Sequence, residues 1–274
     1  MNDILEELQR KALEKARSYP DGCFMIRGLW RIDYVYRPPD TERTLDYPCI
    51  LALTAGHGFS YCDKTSVPLD RTVIGKDARD VRPHEISTEI AVLDAVYSVF
   101  EKKPDASFTL DGHPNEKTPT RAKIIVDEVV RELGMWKGEK PKVVNVGVFF
   151  GFVKGLRERG LEVFATDLDP KIIGRKVGDV RIESGAKTLE RVEECDLALV
   201  TGMTLSTQTL GGIIDAARKN GTKLMIYAQT GSNFAEEYCS VFGVDVVVSE
   251  YFPFYWCPGK SSISIYRRRG LPRQ

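Results

Sequence analysis

The sequence predicts an α/β chain in two parts, a small α+β layer followed by a mostly parallel sheet, and three observations lead there. At 274 residues and 42% hydrophobic content, the chain exceeds the usual size of one compact domain and can bury two modest cores. Its first third carries short runs in which apolar and polar residues alternate, the signature of half-buried antiparallel strands. Beyond Pro141, short β-branched runs alternate with helical patterns, as in a parallel sheet covered on both faces.

Taken in order, Ile4, Leu5, Leu8, Ala12 and Leu13 recur at helical spacing in a charged opening segment. Trp30, Ile32, Tyr34 and Tyr36 alternate with Arg31, Asp33, Val35 and Arg37, a strand that Pro38 and Pro39 end. A second run, 47–54, leads into Gly56-His57-Gly58, where the glycines allow a tight turn before a short strand through Cys62. Pro83 and His84 precede a helix whose stripe is Ile86, Ile90, Leu93, Tyr97 and Phe100, and a polar loop follows it. Thr118-Pro119 is a cap and first-turn pair for a helix with Ala122, Ile125, Val129 and Leu133 inward and Gly134 as its stop. The polar run 137–141 is the expected boundary, which gives an α+β domain over 1–136 and a ligand-binding domain over 137–274. In the second domain 143–148, 162–166, 196–200, 223–227 and 244–248 read as strands, and 261–267 as an added edge strand. The architecture so described is Rossmann-like.

Charge and composition then narrow the function. Lys plus Arg and Asp plus Glu are each 39, so the formal charge is zero and no general pull toward nucleic acid is expected. No stretch has the apolar length of a membrane span or a signal peptide core, so a cytoplasmic protein without a membrane partner is expected. The six cysteines show neither a CxxC pair nor zinc-ligand spacing with histidine; they read as free thiols, and no metal ligands are assigned. Sequence signatures of acyl-transfer, metalloprotease and kinase sites are absent.

The chemistry is expected at the C-terminal ends of the parallel strands. The first strand-to-helix turn contains Gly147, Phe149, Phe150 and Gly151, whose glycines either let backbone approach a ligand at a helix N-terminus or make room for helix-on-strand packing. Asp167, followed by Leu168 and Asp169, ends the second strand about 20 residues later, where a carboxylate accepts from both hydroxyls of an adenosine ribose. Asp169 before Pro170 also suits a helix cap. Thr201, Gly202, Met203 and Thr204 open a hydroxyl-rich run with more hydroxyls than a cap requires, and Gln229 and Thr230 repeat the device one strand later. His57, held between glycines, is the candidate catalytic group, with a solvated or structural turn histidine as the alternative. The aromatic run 251–258 either walls a flat ligand's pocket or forms a homodimer contact.

Several of these segments also carry a resemblance. Residues 194–202, Thr207-Gln208-Thr209-Leu210, the turn 228–233 and the strand entry 242–246 resemble the DUF364 group, described as a heavy-metal chelation domain often preceded by an enolase N-terminal-like domain. Gly56-His57-Gly58 and the helix 86–100 look like that partner domain's glycine turn and first helix. The resemblance implies a ligand site in the interdomain cleft and a role in metal or metal-cofactor metabolism. Because the strand ends offer hydroxyls, amides and Asp167 rather than thiols and imidazoles, an adenosyl cofactor fits them better than a chelated ion. Three readings follow: S-adenosylmethionine binding and methylation of a small-molecule substrate, similar in spirit to the pyridinol methyltransferase of iron-guanylylpyridinol assembly; non-catalytic binding of a heavy metal ion or metal chelate; and NAD-linked oxidoreduction.

Overall fold

The computed structural model describes residues 4–37, 44–62, 68–136 and 138–269. The period-two pattern of the first third becomes a three-stranded antiparallel sheet, β1 (Gly28–Tyr36), β2 (Leu45–Leu53) and β3 (His57–Tyr61), in that spatial order. Alternation gives this sheet two functions. Ile50 and Ala52 face the main core with helices α1 (Ile4–Ala16) and α2 (Ile86–Tyr97), while Cys49, Phe59 and Tyr61 join a separate aromatic cluster with Phe254. Helix α2 approaches β3 closely because Gly58 has no side chain: a Cβ there would lie 2.1 Å from the Ala95 nitrogen and 2.2 Å from the Ala91 oxygen.

The later strands are β4 (Ala106–Leu110), β5 (Lys142–Val146), β6 (Glu162–Asp167), β7 (Lys176–Val177), β8 (Val180–Ser184), β9 (Leu197–Thr201), β10 (Lys223–Ala228), β11 (Val246–Glu250) and β12 (Ser261–Arg267). They form one sheet in the order β4-β12-β11-β10-β9-β5-β6-β8-β7. Six of them, β8-β6-β5-β9-β10-β11, are parallel and run 3-2-1-4-5-6 in order of appearance, the doubly wound dinucleotide-fold order. Strands are buried on both faces, hence the β-branched runs. On one face Val143, Leu199, Met225 and Val248 pack under α3 (Pro114–Leu133) and α4 (Phe150–Glu158). On the other, Val144, Val200, Ile226 and Val247 meet α1 and α2 together with α5 (Thr188–Glu194), α7 (Leu210–Asn220) and α8 (Ala235–Ser240); the short α6 (Met203–Ser206) follows β9.

Four expectations are corrected. Helix α3 begins at Pro114, not at Thr118-Pro119: the Glu116 carboxylate accepts from the His113 N–H (2.8 Å), and the Thr118 hydroxyl donates to the Pro114 carbonyl (2.8 Å), so Pro119 sits inside the helix. Gly134 does end it, at φ 71°. The stretch read as a polar loop contains β4, which pairs antiparallel with β12, so 261–267 lies one place in from the edge. Pro170 opens no helix; Asp169 caps a turn, accepting from Lys171 N–H at 2.9 Å. Strand β8 is an addition, its Val180 and Ile182 inward and Arg181 outward. None of the six cysteines is in a disulfide, and Cys49, Cys62, Cys195 and Cys239 are buried.

Candidate functional site

The order of the parallel strands reverses between β5 and β9, and open α/β sheets bind ligands outside the carboxyl ends of the strands at such a switch point. Gly147 follows β5 at φ 74°, and a Cβ on it would lie 2.4 Å from Thr201 Oγ1 at the end of β9. Only glycine satisfies both the left-handed conformation and that approach. The turn is held by side chains. Asn145, fully buried, accepts from the Phe149 N–H (3.1 Å) and donates to the Leu199 carbonyl (3.2 Å), while Asp167 accepts from Val148 N–H (2.7 Å) through one oxygen and Asp169 N–H (2.8 Å) through the other. Asp167 is half-buried, Phe150 and Leu168 are 40% and 58% exposed beside it, and Gly151 is exposed on the first turn of α4. The structure therefore brings Gly147, Phe149, Asp167, Leu168 and Thr201 to one rim.

The hydroxyl-rich run has a different explanation from surplus ligand groups. The Thr204 hydroxyl donates to the Thr201 carbonyl (2.7 Å), and Ser206 and Thr207 both donate to the Met203 carbonyl (3.0 and 3.1 Å), so these groups satisfy the ends of a four-residue helix. Gly202 packs against the next strand end, where a Cβ would lie 2.5 Å from the Thr230 carbonyl, and Met203 packs on the aromatic cluster. Gln229 and Thr230 join the two sheets: the Thr230 hydroxyl accepts from Tyr61 N–H (3.0 Å), and the Gln229 amide oxygen accepts from the Tyr61 hydroxyl (3.0 Å). His57 is exposed, with Nε2 3.0 Å from the Phe252 carbonyl, at the entrance to β3 rather than among the rim residues above.

Deeper on the same face lies a charged cluster that sequence reasoning missed. Arg121 of α3 is 3% exposed, and its Nη1 donates to the Tyr227 hydroxyl (3.2 Å). Tyr227 donates to Glu250, whose carboxylate also accepts from Gln229 Nε2 (2.8 Å) and Tyr255 N–H (3.0 Å). The guanidinium carbon sits 3.4 Å from the Tyr255 ring centroid and 5.4 Å from that of Phe149. Burial works to lower the Arg121 pKa, but its neighbours, the Glu250 carboxylate and the Tyr255 hydrogen bond among them, more than offset it and hold the group cationic; burial raises that of Tyr227, keeping it a neutral donor. Arg121 Nε makes no hydrogen bond, a deficit that ordinarily costs about 1–3 kcal/mol. The signal was present: Lys117 and Arg121 stand one turn apart on the stripe continued by Ile125 and Val129, where two cations are out of place.

Among the described residues, no three His, Cys, Asp or Glu side chains are grouped to hold a metal ion, and no helix is long and apolar enough to cross a membrane. Residues 130–247 match the model of the DUF364 family, described as "Putative heavy-metal chelation". Among solved structures the chain is similar to a DUF364 protein of unknown function from Pyrococcus horikoshii, with a TM-score of 0.56 and 13% identity over 94% of this chain and 98% of that one. A second DUF364 protein of unknown function, from Desulfitobacterium hafniense, gives a TM-score of 0.54 and 12% identity over the same shares. These likenesses are of fold. No curated protein matches.

Proposed function

We propose, from the premise that residues 130–247 form a DUF364 domain, that the chain binds S-adenosylmethionine at the Gly147, Asp167 and Thr201 rim and methylates a small molecule of metal-cofactor metabolism. The observation that carries this reading is the abutment of Gly147 and Thr201 at the point of strand reversal, with the Asp167 carboxylate beside it. Each Asp167 oxygen accepts one main-chain N–H and keeps a lone pair for a ribose hydroxyl. Leu168 and Phe150 offer exposed apolar surface to a purine. When bound, the cofactor would supply an electrophilic methyl group. The chain's task is then to position the acceptor and exclude water, which needs no conspicuous acid or base. A dinucleotide has less support, because the Val148 and Phe149 N–H groups that would meet a pyrophosphate are occupied by Asp167 and Asn145.

The second reading, non-catalytic metal or metal-chelate binding, is favoured by the family's description. The described side chains do not fit a bare ion, so on this reading the metal arrives already complexed. Thermal unfolding with S-adenosylhomocysteine, NAD, ATP, nickel or iron separates the two. Stabilisation by S-adenosylhomocysteine is expected, about 2.7 kcal/mol at a hundredfold excess over Kd. Thr201→Val is the clean variant, since its hydroxyl makes no hydrogen bond seen within the fold, whereas changing Asp167 also frees the turn. A response to metal alone, with none to S-adenosylhomocysteine, would overturn the methyltransferase reading.

A further inference from the structure

We infer that Arg121 anchors the acid group of the substrate, and that this substrate is a small planar carboxylate held beneath the aromatic segment 251–256. The inference rests on the reading of this face as a ligand site and adds the chemical class that it takes. A guanidinium offers five N–H donors in a flat fork. Here Nη1 meets the Tyr227 hydroxyl, Tyr255 is a further side-chain hydrogen-bond partner, and Nε makes no hydrogen bond although the side chain is almost wholly buried. The nearest acid is an ion-pair neighbour and not a hydrogen-bond partner: Glu250 Oε2 is 4.0 Å from Nη1 and accepts from Tyr227 and Gln229, while its other oxygen accepts from Tyr255 N–H. A carboxylate presented edge-on would complete the fork with two parallel hydrogen bonds.

The walls specify the rest of the ligand. Phe149, Phe152 and Tyr227 ring centroids lie 5.4–5.7 Å from the guanidinium carbon, and Tyr255 covers it at 3.4 Å. Phe149 belongs to the turn that starts at Gly147, so the cation stands one ring away from the rim. Tyr255 and Trp256 are only half-buried, which makes this cover the thin wall. Lys117, itself 1% exposed, holds the far end of the segment by donating to the Cys257 and Gly259 carbonyls (2.5 and 2.8 Å). Displacing Tyr255 frees its share of the fork and leaves those main-chain anchors in place, so the carboxylate of a flat acid can meet the guanidinium in its own plane, along the edge that carries Nε.

Titration of the full-length protein with 4-hydroxybenzoate and its neutral isostere 4-hydroxybenzamide, followed by ligand-observed NMR, tests the assignment. The acid is expected to bind about tenfold tighter than the amide, and this preference is expected to vanish in Arg121→Met. Equal affinity for the two in the unaltered protein, binding of neither, or an undiminished preference in the variant would overturn it. Should Arg121→Met not fold, Arg121→Lys keeps the charge without the fork; a preference that falls several-fold supports the assignment, and an unchanged one refutes it. S-adenosylhomocysteine stabilisation measured on the same samples keeps the readings apart, because a cofactor response without acid preference removes the subsite alone, and the converse removes the cofactor alone.

Discussion

At Asp94 one carboxylate joins three segments: it accepts from the Phe59 N–H (2.9 Å), the Asn233 N–H (2.8 Å) and Asn233 Nδ2 (3.0 Å) while fully buried in α2. Asp94→Asn places a donor among those donors and is expected to cost about 1–3 kcal/mol in chemical denaturation. Burial pushes the Asp94 pKa up to about 7 against the pull of its three donors. An unfolded aspartate titrates near ~3.9, so between these values the folded state holds a proton that the unfolded state has lost. The Asp94 contribution is thus complete below about pH 4 and is lost as the pH rises through about 7; urea midpoints at pH 5 and 7.5 should differ less in Asp94→Asn than in the unaltered protein. At the rim, Gly147→Ala meets both the positive φ and Thr201 Oγ1, and is expected to abolish ligand stabilisation while lowering stability by about 1–3 kcal/mol. The placing of Asp167 at a strand end beside the glycine turn was legible, because it closes a β-branched run, although its bonds to Val148 N–H and Asp169 N–H were not; the burial of Arg121 was not legible either, because its partners come from β10, β11 and the 251–256 segment, which no local spacing connects.

Elements divide in the same way. The small sheet and α2 follow from period-two and helical stripes that their own burial satisfies, whereas β4 was read as loop because its central residues Ser107, Phe108 and Thr109 are exposed and its hydrogen bonds go to β12 alone. The register of β3 against α2 depends on Gly58, and Gly58→Ala should lower Tm by several degrees, since main-chain atoms of Ala91 and Ala95 cannot move aside cheaply. Helix α3 acts as a clamp as well as a cover. Lys117→Met removes the bonds to the Cys257 and Gly259 carbonyls, and faster proteolytic cleavage within 251–260 is expected, at a cost of about 1–3 kcal/mol. Unchanged cleavage would assign the order of that segment to its aromatic contacts instead.

At the scale of the molecule, the two sheets of different kind are legible in the change of periodicity, yet β4 and α3 precede Pro141 and belong with the larger sheet, and the two sheets are tied closely. Tyr61 bonds Gln229 and Thr230, Gly231 N–H bonds the Phe59 carbonyl (3.2 Å), and one hydrophobic core runs from α1 and α2 through to α7 and α8. A single calorimetric transition is therefore expected, and a fragment over 138–269 should lack cooperative unfolding because it loses α3 from one face of the sheet and α1 and α2 from the other. The pairing of β4 carries its own consequence for biosynthesis. Ala106 is made well before its partner: among the described residues its neighbour across the sheet is Ile265 on β12. The nascent chain must leave that outer strand unpaired until β12 has been made, so closure of the sheet comes late, and until then strand-mediated association is most favoured at the open edge of β11.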